Sequence, residues 1–491
     1  MEWDWVRQQA ARAPERLALV EDDRILSYTA LDDRVARAVG WLRARGAAPG
    51  DRVAVHLPAG SAWVELLFAL VRLRATLVPL NLRLTAAELG RILADAEPAL
   101  VVTDAAGRPT VAAAWTGRTA VVEDPGGGWD AEPAEGPAGP PDGEDLQSIV
   151  YTSGTTGTPK GARIRLAQHF WGALGSMLRL GHLPDDVWLL CMPPYHVGGQ
   201  AILFRAALAG TAVVVHPRFD AKRVAAALGD GSVTLVSLVP TMLRRVLDEL
   251  PGPVSPRLRV VLLGGSAAPP ALVQEARGRG LPVRLTYGLT ETASQLATEG
   301  LDEMAPAGAS GRPLAFAEVA VGPEDGSPGR LPPGVPGEIL ARGPQVTDGY
   351  WRRDEPDRFA PGGWLRTGDL GWLDERGWLY VLDRRVDLIV SGGENVYPAE
   401  VEAALAAHPA VAGAAVVARA DPEWGQVPVA FVVRRPDAAV TEAELLAFAR
   451  GRLAGYKVPR RVWFVEALPL TGSGKIARHR LRAEVEAGRW A

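Results

Sequence analysis

The order of apolar and polar residues predicts alternating strands and helices along the first part of the chain. "RLALVEDDRILSY" (16–28) alternates in the way typical of a β-hairpin, with a polar turn at its centre. "TALDDRVARAVGWLRARG" (29–46) has apolar residues at helical spacing. Its Thr29 and Asp32 are spaced as a capping box, and Gly46 predicts the helix end. Buried strands are predicted by "DRVAVHLP" (51–58) and "ALVVTD" (99–104).

The same alternation continues further along. "LVSLVPTMLRRVLDEL" (235–250) and "RVVLLGGSAAPPALVQEARGRG" (259–280) each predict a strand followed by a helix. We therefore expect an α/β fold with parallel strands, built as a large multi-layer N-terminal domain of mixed sheets and helices. From about Gly363 short strands and turns prevail, and residues 385–491 predict a small α+β domain of about 100 residues.

One long segment interrupts this pattern. Residues 124–145, "DPGGGWDAEPAEGPAGPPDGED", are rich in proline, glycine and acidic residues. Such a composition offers little apolar surface to bury. We predict a mobile surface linker here, rather than a domain boundary, because the strand "SIVYT" follows at once.

Composition narrows the class of protein. The chain has 491 residues, 47% of them hydrophobic and 22% charged, which predicts at least two globular domains. Lys and Arg number 53 against 57 Asp and Glu, so the net charge of −4 gives no general attraction to nucleic acid or anionic membranes. Arginines interrupt the apolar stretches before they could span a bilayer, which predicts a cytoplasmic protein. The lone cysteine, Cys191, precludes an internal disulfide and predicts a buried, inert thiol.

Lysine is scarce, because arginine carries nearly all the positive charge. The four lysines are Lys160, Lys222, Lys457 and Lys475. Arginine serves equally well on a solvated surface but does not replace a compact, flexible ammonium group. Lys160 and Lys475 lie in glycine-containing loops, which makes them candidates for chemistry, whereas Lys222 predicts a helix surface.

The segment "YTSGTTGTPKG" (151–161) follows the apolar run "LQSIV". Glycine, serine and threonine after a strand offer backbone N–H groups and hydroxyls that can surround phosphate oxygens. The lysine does not directly follow the second glycine, so this is not the mononucleotide-binding loop G-x-x-x-x-G-K-[ST]. Taken alone, the segment leaves phosphate binding and an ordinary loop equally open.

Three further motifs follow this loop in order along the chain. They are "YGLTETAS" (287–294), "RTGDLGWLDERGWLYVLDRRVDLIVSGGENVYPAEVE" (366–402) and "PLTGSGKI" (469–476). Together the four resemble the adenylate-forming superfamily of acyl- and aryl-CoA synthetases, luciferases and peptide-synthetase adenylation domains. The resemblance implies a large domain (1–383) and a small domain (384–491) that rotates on a hinge between two half-reactions. The first joins a carboxylate to ATP as acyl-AMP, releasing pyrophosphate, and the second transfers the acyl group to coenzyme A.

The resemblance also implies roles for individual residues. Lys475 would be catalytic, closing over the carboxylate and α-phosphate, and Thr152 and Glu291 would hold Mg²⁺. Tyr287 would lie on adenine beside a slot opened by "LLGGSAAPP", and Asp369 would accept both ribose hydroxyls, with Arg384 as a second contact. The implied ATP-binding positions are Thr152, Ser153, Gly154, Thr155, Thr156, Gly157, Lys160, Gly265, Ser266, Thr286, Tyr287, Gly288, Thr290, Asp369, Arg384 and Lys475.

The chemistry of the first half-reaction agrees with these roles. An anionic carboxylate must approach a highly anionic nucleotide, so neutralisation of charge should dominate the barrier. Lysine and Mg²⁺ supply that charge, and Mg²⁺ prefers oxygen ligands while keeping several waters. Without the motifs, the simpler interpretation would make Glu291 a helix cap and Tyr287 a residue of the core.

Two details concern the small domain. Many relatives carry Asp or Lys at the hinge position where this chain has Val386, so the resemblance leaves the exact hinge open. "SGGEN" would form the wall of the pantetheine channel, with Ser391, Gly392 and Gly393 contacting coenzyme A.

The acyl substrate is suggested by residues 169–220, by "LVPTML" and by "TYGLTETASQLAT". These segments look like the 2-succinylbenzoate–CoA ligase family of menaquinone (vitamin K2) biosynthesis. That acid bears a second carboxylate and a ketone, so its pocket should offer polar or cationic groups. The candidates are His196, Arg205, Ser294 and Gln295. His196 is also a catalytic candidate, because the glycine pair behind it suggests a ligand close to the backbone, although an interior histidine would fit the same pattern.

Other functions stay open at this point. A fatty or aryl acyl-CoA synthetase of other specificity, or an adenylation enzyme that loads a carrier protein, would share the four motifs. A nucleotide-binding regulatory protein without catalysis is a further option, disfavoured by the presence of Lys475, Glu291 and Asp369. The implied ligands are ATP, Mg²⁺, coenzyme A and a small carboxylic acid, with no nucleic acid and no membrane insertion. The oligomeric state is open, a homodimer being one option.

Overall fold

A computed structural model describes residues 2–123, 127–153, 159–266, 268–323, 329–384, 388–435, 438–469, 476 and 478–490. The helices are α1 (Trp5–Arg12), α2 (Tyr28–Ala44), α3 (Ser61–Leu73), α4 (Ala86–Ala96), α5 (Arg108–Ala114), α6 (Leu166–Leu180), α7 (Val197–Ala209), α8 (Ala221–Asp230), α9 (Pro240–Glu249), α10 (Pro270–Gly278), α11 (Pro398–Ala406), α12 (Glu442–Arg450) and α13 (Arg478–Glu486). Short 3₁₀ turns cover Thr290–Thr292, Pro356–Arg358 and Gly455–Lys457.

The strands alternate with these helices in the first part of the chain, and short strands prevail later. They are β1 (Leu17–Glu21), β2 (Arg24–Ser27), β3 (Arg52–His56), β4 (Thr76–Pro79), β5 (Leu100–Asp104), β6 (Thr119–Val122), β7 (Leu146–Ser153), β8 (Pro159–Arg165), β9 (Val187–Leu190), β10 (Ala212–Val215), β11 (Leu235–Leu238), β12 (Val260–Leu263), β13 (Val283–Tyr287), β14 (Ala297–Thr298), β15 (Ala309–Pro313), β16 (Glu318–Gly322), β17 (Gly337–Arg342), β18 (Phe359–Ala360), β19 (Trp364–Leu373), β20 (Leu379–Arg384), β21 (Ile389–Ser391), β22 (Glu394–Val396), β23 (Val411–Asp421), β24 (Gly425–Arg434) and β25 (Val462–Phe464).

The chain divides into two compact units. The large unit contains Met1–Leu82, Leu93–Tyr151 and Gly161–Asp383, and the small unit contains Arg83–Ile92, Thr152–Lys160 and Arg384–Ala491. The assignment of domains to 1–383 and 384–491, and the hinge between them, stay predictions.

The predicted α/β architecture is confirmed. A 14-stranded sheet has the order β16-β17-β19-β20-β15-β14-β13-β12-β11-β9-β10-β1-β2, with β18 on β19. Its run from β13 through β12, β11 and β9 to β10 is parallel, whereas the pairings from β13 to β14 and onward to β20 are antiparallel. A six-stranded sheet has the order β6-β5-β3-β4-β7-β8, and the small unit has the order β22-β21-β24-β23 with β25 on β24.

Helix α3 shows how the core of the large unit is filled. All 13 residues of α3 are buried, which agrees with its apolar composition on every face. Helix α2 packs beside it and contributes Trp41 and Leu42 to the same apolar cluster. No helix within the described ranges is both long and apolar enough to cross a bilayer.

Two local predictions were wrong. Helix α2 is capped by Ser27, whose hydroxyl accepts from the Ala30 N–H, and not by Thr29, whose hydroxyl donates to the Pro14 carbonyl. The Ser27 hydroxyl, two residues earlier, caps the helix because strand β2 ends at Ser27 and the helix begins directly after it. The hairpin of β1 and β2 itself is confirmed.

The second wrong prediction is the linker. In its described part, Trp129 is fully buried, and its indole Nε1 donates to Glu65 Oε2 at 2.8 Å. The ring lies 5.6 Å from that of Trp41, and Asp130 pairs with Arg34. The segment is therefore packed against the large unit by a buried tryptophan and by acidic residues that pair with arginines of α2. Its composition alone predicts mobility.

Candidate active site

The carboxyl ends of the parallel strands carry most of the predicted nucleotide contacts of the large unit. Gly265 and Ser266 come one residue after the end of β12, Thr286 and Tyr287 end β13, and Gly288 follows it. Adjacent parallel strands end at one edge of a sheet, which is where α/β proteins usually bind ligands. The sheet order β13-β12-β11 thus brings two separate sequence motifs to one edge.

Tyr287 and Asp369 are joined directly. The Tyr287 hydroxyl donates to Asp369 Oδ2 at 2.7 Å, although 82 residues separate them. Both side chains are buried, and the Asp369 N–H donates to the Thr367 hydroxyl at 3.1 Å. The structure therefore brings together the two residues predicted to contact the adenine and the ribose.

Glu291 is held by two partners that sequence reasoning missed. The Tyr350 hydroxyl donates to Glu291 Oε1 at 2.7 Å, and Arg358 Nη2 lies 3.8 Å from the same oxygen. Arg358 Nε also donates to the Tyr350 hydroxyl at 3.3 Å. Burial, with the carboxylate beside it, raises the pKa of Tyr350. These contacts fix the orientation of the carboxylate, whereas a simple helix cap would need none of them.

The arrangement of acidic groups fits a magnesium ion that has few protein ligands better than a metal enclosed by many. Within the described residues, no group of three or more His, Cys, Asp and Glu side chains is placed to hold a metal. Mg²⁺ usually takes one or two carboxylates and completes its shell with phosphates and water. A single oriented carboxylate, Glu291, fits that pattern, and the metal role of Thr152 stays a prediction.

The loop after Glu291 is tightly constrained. Ala293 and Ser294 both have positive φ, 49° and 101°, which is unusual for residues with a side chain. A Cβ on Gly288 would lie only 1.6 Å from the Ser294 carbonyl oxygen, so only glycine fits there. The predicted substrate residues Ser294 and Gln295 are therefore positioned by a strained turn against the end of β13.

Arg205 on α7 is a buried cation whose contacts within the described residues are all with neutral groups. Its Nη1 donates to the Ser176 hydroxyl at 2.8 Å and to Gln295 Oε1 at 2.6 Å, and its guanidinium lies 4.3 Å from the centre of the Trp188 ring. No carboxylate of the described chain pairs with it, and burial lowers its pKa to about 9. The group remains charged at neutral pH, so an anion brought close to it would be strongly attracted.

His196 is the N-cap residue of α7, and its ring meets that of Tyr195 edge-on at 4.7 Å. The glycine pair behind it has a structural explanation. A Cβ on Gly199 would lie 2.7 Å from the Pro193 carbonyl oxygen, so close backbone packing requires this glycine. A ligand near the backbone is therefore not needed to explain Gly199, and the role of His196 stays a prediction.

In the small unit the predicted coenzyme A residues form a tight turn. Ser391 ends β21, and Gly392 and Gly393, with φ of 59° and 87°, lead into β22. Two successive positive φ values are typical of a two-residue hairpin, which explains both glycines without a ligand. The Gly392 N–H donates to the Trp424 carbonyl at 2.9 Å.

The phosphate loop is described only at its ends. The Thr152 hydroxyl donates to the Lys160 carbonyl at 3.4 Å. Other predicted positions lie outside the described residues: Gly154, Thr155, Thr156, Gly157, Val386, Lys475 and the side chains of Ser153 and Arg384. Thr290 begins the 3₁₀ turn that contains Glu291.

Comparison with known proteins decides the family. The model of the AMP-binding enzymes matches residues 6–351, and the model of the AMP-binding enzyme C-terminal domain matches residues 400–475. The chain belongs to the AMP-binding enzyme family. This AMP-binding enzyme is 41% identical to a 2-succinylbenzoate–CoA ligase of Bacillus cereus, over 98% of each chain.

Solved structures agree with this family. This AMP-binding enzyme matches a double mutant of o-succinylbenzoate CoA synthetase from Bacillus subtilis, bound to the product analogue OSB-NCoA, with a TM-score of 0.90 and 35% identity over 98% of each chain. The same Bacillus subtilis synthetase with ATP and magnesium gives a TM-score of 0.73 and 35% identity, over 97% of this chain and 99% of that one.

Proposed function

We propose that this AMP-binding enzyme ligates 2-succinylbenzoate to coenzyme A through an acyl-adenylate, consuming ATP and releasing AMP and pyrophosphate, as a step of menaquinone biosynthesis. The observation that carries the proposal is the 41% identity to a ligase of that name over nearly the full length of both chains. The ligands named for the similar solved structures, ATP with magnesium and a product analogue of coenzyme A, fit the same reaction.

Arg205 supports the choice of acid. A monocarboxylate that reacts at its only carboxyl group gives a buried guanidinium nothing to bind. The second carboxylate of 2-succinylbenzoate would supply the missing counter-ion, with Gln295 and Ser176 orienting the guanidinium through their bonds to Nη1. Arg205, with His196, Ser294 and Gln295, is therefore assigned to the acyl pocket in this proposal.

The two half-reactions divide the remaining roles. In the first, the free carboxylate oxygen forms a bond to the α-phosphorus and pyrophosphate leaves, so negative charge must be offset at the phosphates. Lys475 would offset it at the reacting carboxylate, and Glu291 and Thr152 would hold Mg²⁺, which supplies charge neutralisation when bound. In the second, the thiol sulfur of coenzyme A attacks the acyl carbon, its proton is lost and AMP leaves.

The Tyr287–Asp369 pair supports the nucleotide part of the proposal. An aromatic ring hydrogen-bonded to a carboxylate presents a flat apolar face beside two acceptor oxygens. That combination would suit a nucleoside, whose base stacks while its vicinal hydroxyls donate. Lys160 and the Gly/Thr loop would bind the phosphates.

The proposal is tested by pyrophosphate release over a panel of carboxylic acids, with and without coenzyme A. We expect 2-succinylbenzoate to give the highest kcat/KM, with thioester formed only when coenzyme A is present. Faster turnover of octanoate or benzoate would refute the substrate assignment. Acyl transfer to a carrier protein but not to coenzyme A would refute the thioester assignment.

A further inference from the structure

A small cavity opens at the amino-terminal ends of the parallel strands in the large unit. Its wall includes Trp188 and Leu235, at the starts of β9 and β11, and Arg259, which directly precedes β12. The residues predicted to contact the nucleotide follow the carboxyl ends of β12 and β13 instead. The cavity therefore lies at the opposite edge of the sheet from the nucleotide motifs.

Arg205 forms part of the cavity wall, together with its partners Ser176 and Trp188. Two of its nitrogens are engaged: Nη1 by Ser176 and Gln295, and Nε by the Ala201 carbonyl at 3.0 Å. Within the described residues Nη2 makes no hydrogen bond, and it is not among the unpartnered atoms that are sealed from solvent. A cation that is only 3% exposed thus keeps unused donors next to open space.

The other charged groups of the wall, Asp186 and Arg259, neutralise each other. Arg259 Nε donates to Asp186 Oδ1 at 2.6 Å, and its Nη2 pairs with the other carboxylate oxygen. Asp186 also accepts from the Thr234 hydroxyl at 3.0 Å and from a backbone N–H at 2.9 Å. His182, the remaining titratable group of the wall, is exposed and carries no negative charge. The wall therefore has one positive charge in excess, that of Arg205.

The size of the cavity restricts the ligand. The room left for the centre of a water-sized molecule is about 10 Å³, close to what a single water needs. A monatomic anion fits such a space, whereas acetate or phosphate does not. Burying an unmatched charge is costly, and a guanidinium gains more from an anion than from a neutral water molecule. Excess charge and small volume together favour a halide, of which chloride is the abundant one in biological solutions.

We propose that the cavity beside Arg205 binds a chloride ion, and that this ion competes with the acyl substrate for the guanidinium. The competition rests on the proposed function, in which Arg205 binds the second carboxylate of 2-succinylbenzoate. Gln295, which shares Nη1, follows the turn after β13, so the acid would reach the cation from the nucleotide side. The ion would reach it from the other side. One positive charge cannot be matched twice, so each anion weakens the binding of the other.

The first experiment measures ion binding without substrate. The thermal midpoint of the full-length protein is followed while sodium chloride replaces sodium gluconate at constant ionic strength, which keeps the screening of surface charges unchanged. We expect a rise of ~1–3 °C between about 5 and about 150 mM chloride, because a ligand that binds the folded state stabilises it. Acetate, too large for the cavity, should behave like gluconate.

Arg205→Met should abolish the chloride-dependent rise, because the cation is gone. The matched control is Arg223→Met, which removes an exposed arginine paired with Asp22 and should keep the rise. If Arg205→Met fails to fold, Arg205→Gln replaces it, since its amide can still donate to Gln295.

The second experiment measures competition by pyrophosphate release over the same chloride range. We expect KM for 2-succinylbenzoate to rise ~5- to 15-fold with kcat unchanged. For 4-oxo-4-phenylbutanoate, which keeps the ketone but lacks the ring carboxylate, KM should change by less than ~2-fold. The difference between the two acids separates competition at Arg205 from a general effect of salt.

The outcomes are distinct. No rise of the midpoint relative to gluconate, an equal rise with acetate, or a chloride effect that persists in Arg205→Met would overturn the ion site and leave water in the cavity. A chloride-dependent midpoint with an unchanged KM for 2-succinylbenzoate would overturn the competition. Failure of the enzyme to activate 2-succinylbenzoate at any chloride concentration would refute the proposed function, and the midpoint series would still decide the ion site.

Discussion

The two units each bury a cation, and the two environments differ in one respect. In the small unit, Lys457 Nζ donates to Glu88 Oε1 at 2.7 Å and to Glu400 Oε1 at 3.0 Å, and all three side chains are at most 4% exposed. In the large unit, Arg205 contacts a hydroxyl, an amide and an indole, and no carboxylate of the described chain.

The partners of a buried charge indicate whether it serves stability or recognition. A cation already matched by acidic side chains contributes to the stability of the fold, and its removal leaves those acids unpaired. A cation held in place by neutral groups retains its attraction for an anion from outside. Burial raises the pKa of Glu400 despite the nearby Lys457, because the carboxylate is shielded from water. The predictions below test this distinction.

The largest effect is expected from Lys457→Met. It leaves Glu88 facing Glu400, with the half-exposed Arg91 at 3.6 Å from Glu400. We expect the free energy of unfolding to fall by about 3–5 kcal/mol, measured by denaturant titration. The control Arg223→Met breaks an exposed pair with Asp22 and should cost less than about 1 kcal/mol. A loss below about 1 kcal/mol for Lys457→Met would remove the contrast between the two cations.

Lys475→Ala tests a third cation, one proposed to act on the reacting atoms. We expect adenylation to fall ~10²- to 10³-fold, the usual scale for one preorganised charge, while thioester formation from supplied acyl-AMP is spared. Pyrophosphate release measures the first step, and thioester formation measures the second. Near-normal pyrophosphate release would refute the assignment, and Lys222→Ala, on the exposed face of α8, serves as the control.

Arg205→Met should reverse the pattern seen at Lys457. We expect kcat/KM for 2-succinylbenzoate to fall ~10- to 100-fold, because one charge-assisted contact to the second carboxylate is lost. The activity with 4-oxo-4-phenylbutanoate, which lacks that carboxylate, should change little. The free energy of unfolding should stay the same or rise, since the methionine needs no counter-ion. Equal losses with both acids would contradict a role in recognising the anion.

The last prediction concerns His169, a buried base that is neutral, whereas Arg205 is charged. Burial lowers its pKa to about 3, whereas its ordinary value is 6.5. Between these values the unfolded chain binds a proton that the folded chain does not, so stability rises with pH. We expect this group to contribute a slope of about 1.4 kcal/mol per pH unit from pH 4 to 6. His169→Gln should remove that part of the slope in denaturation curves, and an unchanged slope would contradict burial of a neutral imidazole.

Local patterns predicted the elements of the fold well. The hairpin of β1 and β2 and the strand β3 each depend on residues within one turn or one strand. The motifs also predicted which residues gather at the carboxyl ends of β12 and β13. These features can be predicted from the sequence because periodicity and spacing alone determine them.

Contacts between residues far apart in sequence could not be predicted in the same way. Tyr350 reaches Glu291 across 59 residues, and Trp129 inserts beside Glu65 across 64. No spacing rule relates such residues, because the tertiary fold and not the local chain sets their distance. The lone tryptophan in an otherwise polar segment was the one available signal for the packed linker.

The bond between Tyr287 and Asp369 has a consequence for the cost of capturing a nucleotide. The tyrosine hydroxyl already restricts the side-chain torsions of Asp369. The conformational entropy that the carboxylate would lose on binding a sugar is therefore lost during folding instead. Under the proposed function, an arriving ribose diol would meet acceptors whose lone pairs are already oriented. Replacing that tyrosine with phenylalanine would keep the stacking surface and return the lost torsional freedom to the acid.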